Sequence, residues 1–146
     1  MHSTWIVVAD AGRGRIFEMQ QKGHLAEIED FANPAERERN ADLRTDARGR
    51  FYGMGERQEG HTAEPPVSPK EHEAELFASH IAEYLDKARN GNKYSSLRLI
   101  AAPSFLGVLR NKLDKEVMKL VDQELDQDLT KISVRELEQR LEQDKP

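Results

Sequence analysis

The stretch from Thr45 to His61 gathers more anion-binding chemistry than any other part of the chain. It reads Thr-Asp-Ala-Arg-Gly-Arg-Phe-Tyr-Gly-Met-Gly-Glu-Arg-Gln-Glu-Gly-His. Arg44, Arg48, Arg50 and Arg57 supply planar, permanently charged donors that fork onto phosphate or carboxylate oxygens. Tyr52, next to Phe51, supplies a ring on which a base can stack. Gly49, Gly53, Gly55 and Gly60 give the backbone freedom to approach a ligand closely. Most connections in compact domains run only ~4–6 residues, and much longer ones are usually functional or disordered. The competing reading is a solvated loop whose arginines pair with Asp46, Glu56 and Glu59.

Three other groups invite chemistry. Asp10 closes the first apolar run, and a carboxylate there is what a two-metal nuclease requires. Such a site also needs partner carboxylates, and no spacing singles out Glu29, Glu73 or Asp122. The favoured expectation is a turn aspartate bonded to the backbone of Ala11-Gly12. Gly12-Arg13-Gly14-Arg15 lacks the spacing of a phosphate loop and precedes a strand, so it predicts a hairpin turn with two exposed arginines. His61, His72 and His80 lack the spacing of a paired-ligand motif, and there is no cysteine, so neither metal nor cofactor is expected.

These residues sit on a body of 146 residues, which fits one domain over 1–146. Lys and Arg number 22 against 27 Asp and Glu, a net charge of −5, so any anion site is a local basic patch on an acidic protein. The N-terminal apolar run is too short for a signal peptide, and no window reaches the ~20 apolar residues that span a membrane. A soluble cytoplasmic protein with no membrane partner is the expectation.

The positioning elements follow from periodicity. Trp5–Ala9 reads as a buried strand, Arg15–Gln20 as a second, and Leu25–Phe31 as a third whose Leu25, Glu27, Glu29 and Phe31 share a face. The Lys22-Gly23-His24 turn makes these three a meander. Residues 35–43 allow a short charged helix, and the glycine- and arginine-rich loop occupies 44–67. Ser68-Pro69-Lys70-Glu71 is a helix start with a capping box, followed by a stripe of Leu76, Phe77, Ile81, Tyr84, Leu85 and Ala88 and closed by Asn90-Gly91-Asn92. Leu97–Ala102 is a strand, and Pro103-Ser104 opens a short helix with Phe105, Leu106, Leu109 and Leu113 inward. Residues 119–125 are a last strand or the end of a helix: Val117, Leu120, Val121 and Glu124 fit a helix, while Leu120, Asp122 and Glu124 make a poor buried strand face. Ser133 and Glu136 form a second capping box, ahead of a narrow apolar edge of Val134, Leu137 and Leu141. Meander strands followed by alternating helices and strands predict an α/β protein: a mixed sheet of about five strands with flanking helices.

Several segments together resemble one bacterial family, the proteins required for attachment to host cells. They are Val7 through Phe17, Asp46 through Phe51 with the following glycines and His61, Phe77 through Leu85, Ala101 through Arg110, and Asp128-Leu129-Thr130. That family looks like a relative of the middle domain of the archaeal and eukaryotic peptide-chain release factors and of Pelota. The resemblance implies a ribonuclease-H-like fold without the nuclease metal site, and it implies a strand over 119–125. In release factors the corresponding loop carries Gly-Gly-Gln. Here the nearest string is Gly55-Glu56-Arg57-Gln58, with the paired glycines absent.

Residues and resemblance together lead to a non-enzymatic factor associated with the ribosome, tRNA or rRNA through the 44–61 loop. One alternative is a peptidyl-tRNA or ester hydrolase in which Gln58 positions water. The other is an indirect role in host-cell attachment through a protein partner. Oligomeric state is not legible in the sequence.

Overall fold

A computed structural model of the chain describes residues 2–35 and 68–143. Three strands, β1 (Thr4–Ala9), β2 (Arg13–Met19) and β3 (Leu25–Ala32), lead to helix α1 (Pro69–Asn90). Strand β4 (Ser96–Ala101), helices α2 (Pro103–Lys112) and α3 (Lys115–Met118), strand β5 (Val121–Leu125) and helix α4 (Val134–Gln143) complete the chain. The five strands form one mixed sheet in the order β3-β2-β1-β4-β5. The β1–β2 and β2–β3 pairs are antiparallel, while β4 runs parallel to both β1 and β5. This is the α/β architecture that the order of periodic segments predicts.

The centre of the sheet is β1, whose six residues are all buried. Its near-continuous apolar run is what a strand covered on both faces requires. Alternation sorts its side chains between two cores. Trp5, Val7 and Ala9 join Ile16, Leu97, Leu99 and Ala101 beneath α1, α2 and α3. Ile6 and Val8 join Phe17, Leu25 and Ile100 beneath Leu137 and Leu141 of α4.

Helix α1 begins as its sequence dictates. Ser68 accepts from the Glu71 backbone N–H, Glu71 returns the bond, and Pro69 takes the first turn. The buried stripe is Phe77, Ala78, Ile81, Ala82, Leu85 and Ala88. Leu76, expected on that stripe, is 58% exposed. The small residues Ala78 and Ala82 take the face instead and let the helix lie close to the sheet. Asn92, not Gly91, adopts the left-handed conformation after the helix (φ 57°).

Strand β3 departs from simple alternation. Its register against β2 shifts between Ile16 and Phe17, which pair with Glu29 and Glu27 and leave Ile28 as the extra residue. A bulge of this kind reverses which face later residues point to. Leu25 therefore packs in the core under α4, whereas Phe31 packs against that under α1. The expectation that Leu25 and Phe31 share a face is thus corrected. Residues 119–125 fit a helix by their apolar spacing alone, but they contain the strand that the family resemblance implies, over Val121–Leu125. Asp114 caps the single turn α3, accepting from Glu116 N, and the chain then extends into β5. The amphipathic count there is short because β5 lies at a sheet margin. Its register against β4 shifts between Leu97 and Arg98, and its exposed Asp122 and Glu124 pair with Arg98 of β4 and Arg110 of α2.

Candidate functional site

All the loop residues expected to bind RNA or an anion lie outside the described residues: Arg44, Arg48, Arg50, Tyr52 and Arg57, with Gly49, Gly53, Gly55 and Gly60. The same holds for Gln58, for His61 and for the 36–43 segment. What the described residues supply is a cleft at the carboxyl ends of the adjacent parallel strands β1 and β4, the edge at which open α/β sheets bind ligands.

The floor of the cleft is the turn after β1. Asp10 Oδ1 accepts from the backbone N–H groups of Gly12 and Arg13, each at 2.8 Å. The expected aspartate turn is therefore present, with Arg13 as a second donor. The turn is braced from β3, where Asn33 donates to Ala11 O (2.9 Å) through its side chain and to Gly12 O (3.0 Å) through its backbone. The second oxygen of Asp10 accepts from the Thr130 hydroxyl at 3.0 Å. That hydroxyl also lies 2.8 Å from Asp128 Oδ1, so its one hydrogen serves two carboxylates. Glu29, Glu73 and Asp122, weighed in the sequence as companions of Asp10, lie on β3, α1 and β5, and Asp122 pairs with Arg98. Among the described residues no cluster of three or more His, Asp or Glu side chains could hold a metal ion.

The opposite wall comes from β4 and α2. Ala102 N donates to Ala9 O (3.1 Å), holding the two strand ends together. Pro103 then opens α2, whose N-terminus has no side-chain cap. A ten-residue helix with an uncapped start presents free N–H groups and the positive end of its dipole. The resulting cleft has a volume of about 500 Å³ and is lined by Gly12, Arg13, Lys70, Ser104, Phe105 and Lys131, besides the Asp10 and Thr130 pair.

The charges in the cleft are unequal in availability. Arg13 is forked onto Asp30 (Nε–Oδ1 3.1 Å, Nη2–Oδ2 2.7 Å). Those hydrogen bonds raise its pKa above the ordinary arginine value. Lys70 and Lys131 have no ion pair among the described residues. The acid of the cleft, Asp10, already has both oxygens engaged. Its donors are backbone N–H groups and a hydroxyl, so Asp10 keeps its negative charge; with Arg13 paired to Asp30, the lining sets Lys70 and Lys131 against that one carboxylate.

Arg15 overturns an expectation. It was expected to be exposed, like Arg13, but it is 6% exposed. It lies on the α4 face of β2, where residues 126–133 and α4 cover it. Its fork meets Glu27 (Nε–Oε2 3.0 Å, Nη2–Oε1 3.1 Å), and its Nη1 donates to Ile132 O at 2.8 Å and Thr130 O at 3.2 Å. Its guanidinium carbon sits 4.9 Å from the Phe17 ring centroid. His72 and His80 lie on exposed positions of α1, and His80 packs edge-on against Phe31.

The sequence singles out Asp10, Gly12 and Arg13 but not the cleft they line. Thr130 and Lys131 come from a segment more than a hundred residues away, and only the Asp128-Leu129-Thr130 string marked that segment. Ala-Pro after a strand was the signal for the α2 wall.

No helix among the described residues is long and apolar enough to cross a membrane. No curated protein matches the chain. Among solved structures the chain is similar to the Ppx/GppA phosphatase of Aquifex aeolicus, type II variant, with 12% identity and a TM-score of 0.42. That likeness covers 86% of this chain and 36% of the phosphatase, so the chain spans about a third of that protein's length. Residues 5–141 match the family described as protein required for attachment to host cells, and the chain belongs to that family.

Proposed function

We propose that this protein is a non-enzymatic factor that associates with RNA or the ribosome by holding phosphates at the carboxyl edge of its sheet. The observation that carries the reading is that two lysines with no ion pair among the described residues share one cleft with an uncapped helix start. Lys70 and Lys131 face the same space as Ser104 at the head of α2. Phosphate is the anion such a combination suits best, because backbone N–H groups and the helix dipole favour it and lysines supply the balancing charge.

Arg44, Arg48, Arg50 and Arg57 precede Lys70 in the sequence and add planar donors suited to phosphate. The resemblance to the middle domain of release factors and Pelota, with its ribonuclease-H-like fold, supports a partner in translation. No hydrolytic role is assigned to Gln58, since Gly55-Glu56-Arg57-Gln58 lacks the paired glycines.

Sedimentation of the tagged protein through sucrose gradients of cell lysate, at low and moderate salt, tests the reading. The expected result is co-migration with ribosomal subunits that weakens with salt. Charge reversal of Arg48, Arg50 and Arg57 together, or of Lys70 and Lys131 together, then moves the protein to the top of the gradient. Co-migration that neither set of reversals disturbs refutes phosphate contacts. Sedimentation only at the top, at both salts, refutes stable ribosome association and shifts the search to a protein partner for the attachment role in the family's description.

A further inference from the structure

We infer that Arg15 is a positioning residue for the cleft: it holds the 126–133 strap so that Lys131 faces the phosphate. The inference rests on the cleft being the phosphate site.

Residues 126–133 link β5 to α4 and belong to no helix or strand. Backbone groups in such a segment must find partners outside the regular ladders. Here the partners are side chains of β2. The carbonyls on either side of Lys131, those of Thr130 and Ile132, both accept from Arg15 Nη1. Arg13 Nη1 adds a longer bond to Thr130 O (3.4 Å), and the Thr130 hydroxyl ties the strap to Asp10. Lys131 is thus bracketed by one buried guanidinium.

That guanidinium is itself fixed. Glu27 takes its other edge in a two-point fork, and Phe17 lies against its face. A fork, two carbonyl bonds and a stacking face together use the planar geometry of arginine. An ammonium at the end of a lysine keeps the charge but cannot reproduce that set.

The test is the salt dependence of binding to a fluorescent single-stranded uridine oligomer, read by anisotropy. Each phosphate contact on a single strand contributes about 0.7 to the slope of log affinity against log salt. Lys131→Ala is expected to lower the slope by about 0.7. Arg15→Lys is expected to lower it by the same amount although no charge has been removed, so that affinity falls about 2–3-fold less between 50 and 200 mM salt. Added to Lys131→Ala, it is expected to lower the slope no further. A purely structural role reduces the active fraction and leaves the slope unchanged. Glu27→Gln, which loosens the fork without truncating any side chain, provides the same measurement if Arg15→Lys does not fold. A slope unaltered in the folded variant, or slopes that fall additively with Lys131→Ala, overturns the inference. Absence of salt-dependent binding by the unaltered protein overturns the phosphate reading beneath it.

Discussion

Leu137→Ala is the substitution that tests how the α4 face of the sheet is held. Leu137 is fully buried and packs with Ile6, Val8, Phe17, Leu25, Ile100 and Leu129. The alanine loses three carbon atoms from an apolar site, a transfer cost of about 2.4 kcal/mol at roughly 0.8 kcal/mol per carbon. A cavity term is added, because the floor beneath Leu137 is made of central strands that cannot collapse upward. Helix α4 can settle only partly, since Ser133 and Glu136 fix its start in a reciprocal cap and Leu141 anchors its end. The sum is about 3–4 kcal/mol, within the range measured for buried leucines. At about 2–4 °C per kcal/mol for a chain of this size, the melting temperature falls by about 6–16 °C. Urea unfolding followed by circular dichroism, with the m-value unchanged, reads the loss. Leu76→Ala is the control: 58% exposed, it is expected to change stability by no more than about 0.5 kcal/mol. A loss below about 1 kcal/mol for Leu137→Ala, or equal losses for the two variants, refutes the assignment of the two faces.

Tyr94 donates to Leu85 O at 2.8 Å, and burial pushes its pKa up to about 12 from 10.0. The protonated form is the one the fold favours, so its contribution is complete below about pH 10 and is lost as pH rises toward about 12. In Tyr94→Phe, stability measured by urea unfolding should vary less over that alkaline window, with a cost of about 1 kcal/mol near neutrality from the lost hydrogen bond. Ser68→Ala removes the cap of α1 and is expected to cost about 1 kcal/mol in the same assay, with no change in the fold's circular dichroism at low urea. Thr130→Val keeps the shape of a residue that is 1% exposed but takes the donor from Asp10 and Asp128, with an expected cost of about 1–3 kcal/mol. A neutral result for Thr130→Val means the two carboxylates find water instead.

The parts of the fold that were legible in the sequence are those fixed by local chemistry. Ser68 and Glu71, Ser133 and Glu136, and the TWIVVA run each carry their own instruction, and each is realised. What the sequence hid depends on partners distant along the chain. The bulge at Ile28 arises from register against β2, so nothing in the alternation of β3 announces that Phe31 changes face. Arg15 looks like any strand arginine until residues 126–133 are laid over it. Leu76 and Ala78 were separable only once the sheet showed how closely α1 approaches. The cleft was partly legible: Asp10 and Pro103 marked strand ends, while Lys131 became relevant through a contact spanning 120 residues between Asp10 and Thr130.

The central place of β1 also sets the order of assembly. Its pairing with β2 is a local hairpin, the kind of structure that forms in about 1–10 μs. Its other edge pairs with β4, joining Thr4 to Ser96 across 92 positions. Contacts of that separation form late, because the chain must close a long loop before they repay it. Among the five strands of the sheet, the most thoroughly buried is therefore made first and completed last. Its unpaired edge is a template for a neighbouring chain until β4 arrives. Fragments that end before Ser96 should aggregate even though they contain the whole meander, and slowing synthesis ahead of β4 should lower the yield of soluble protein.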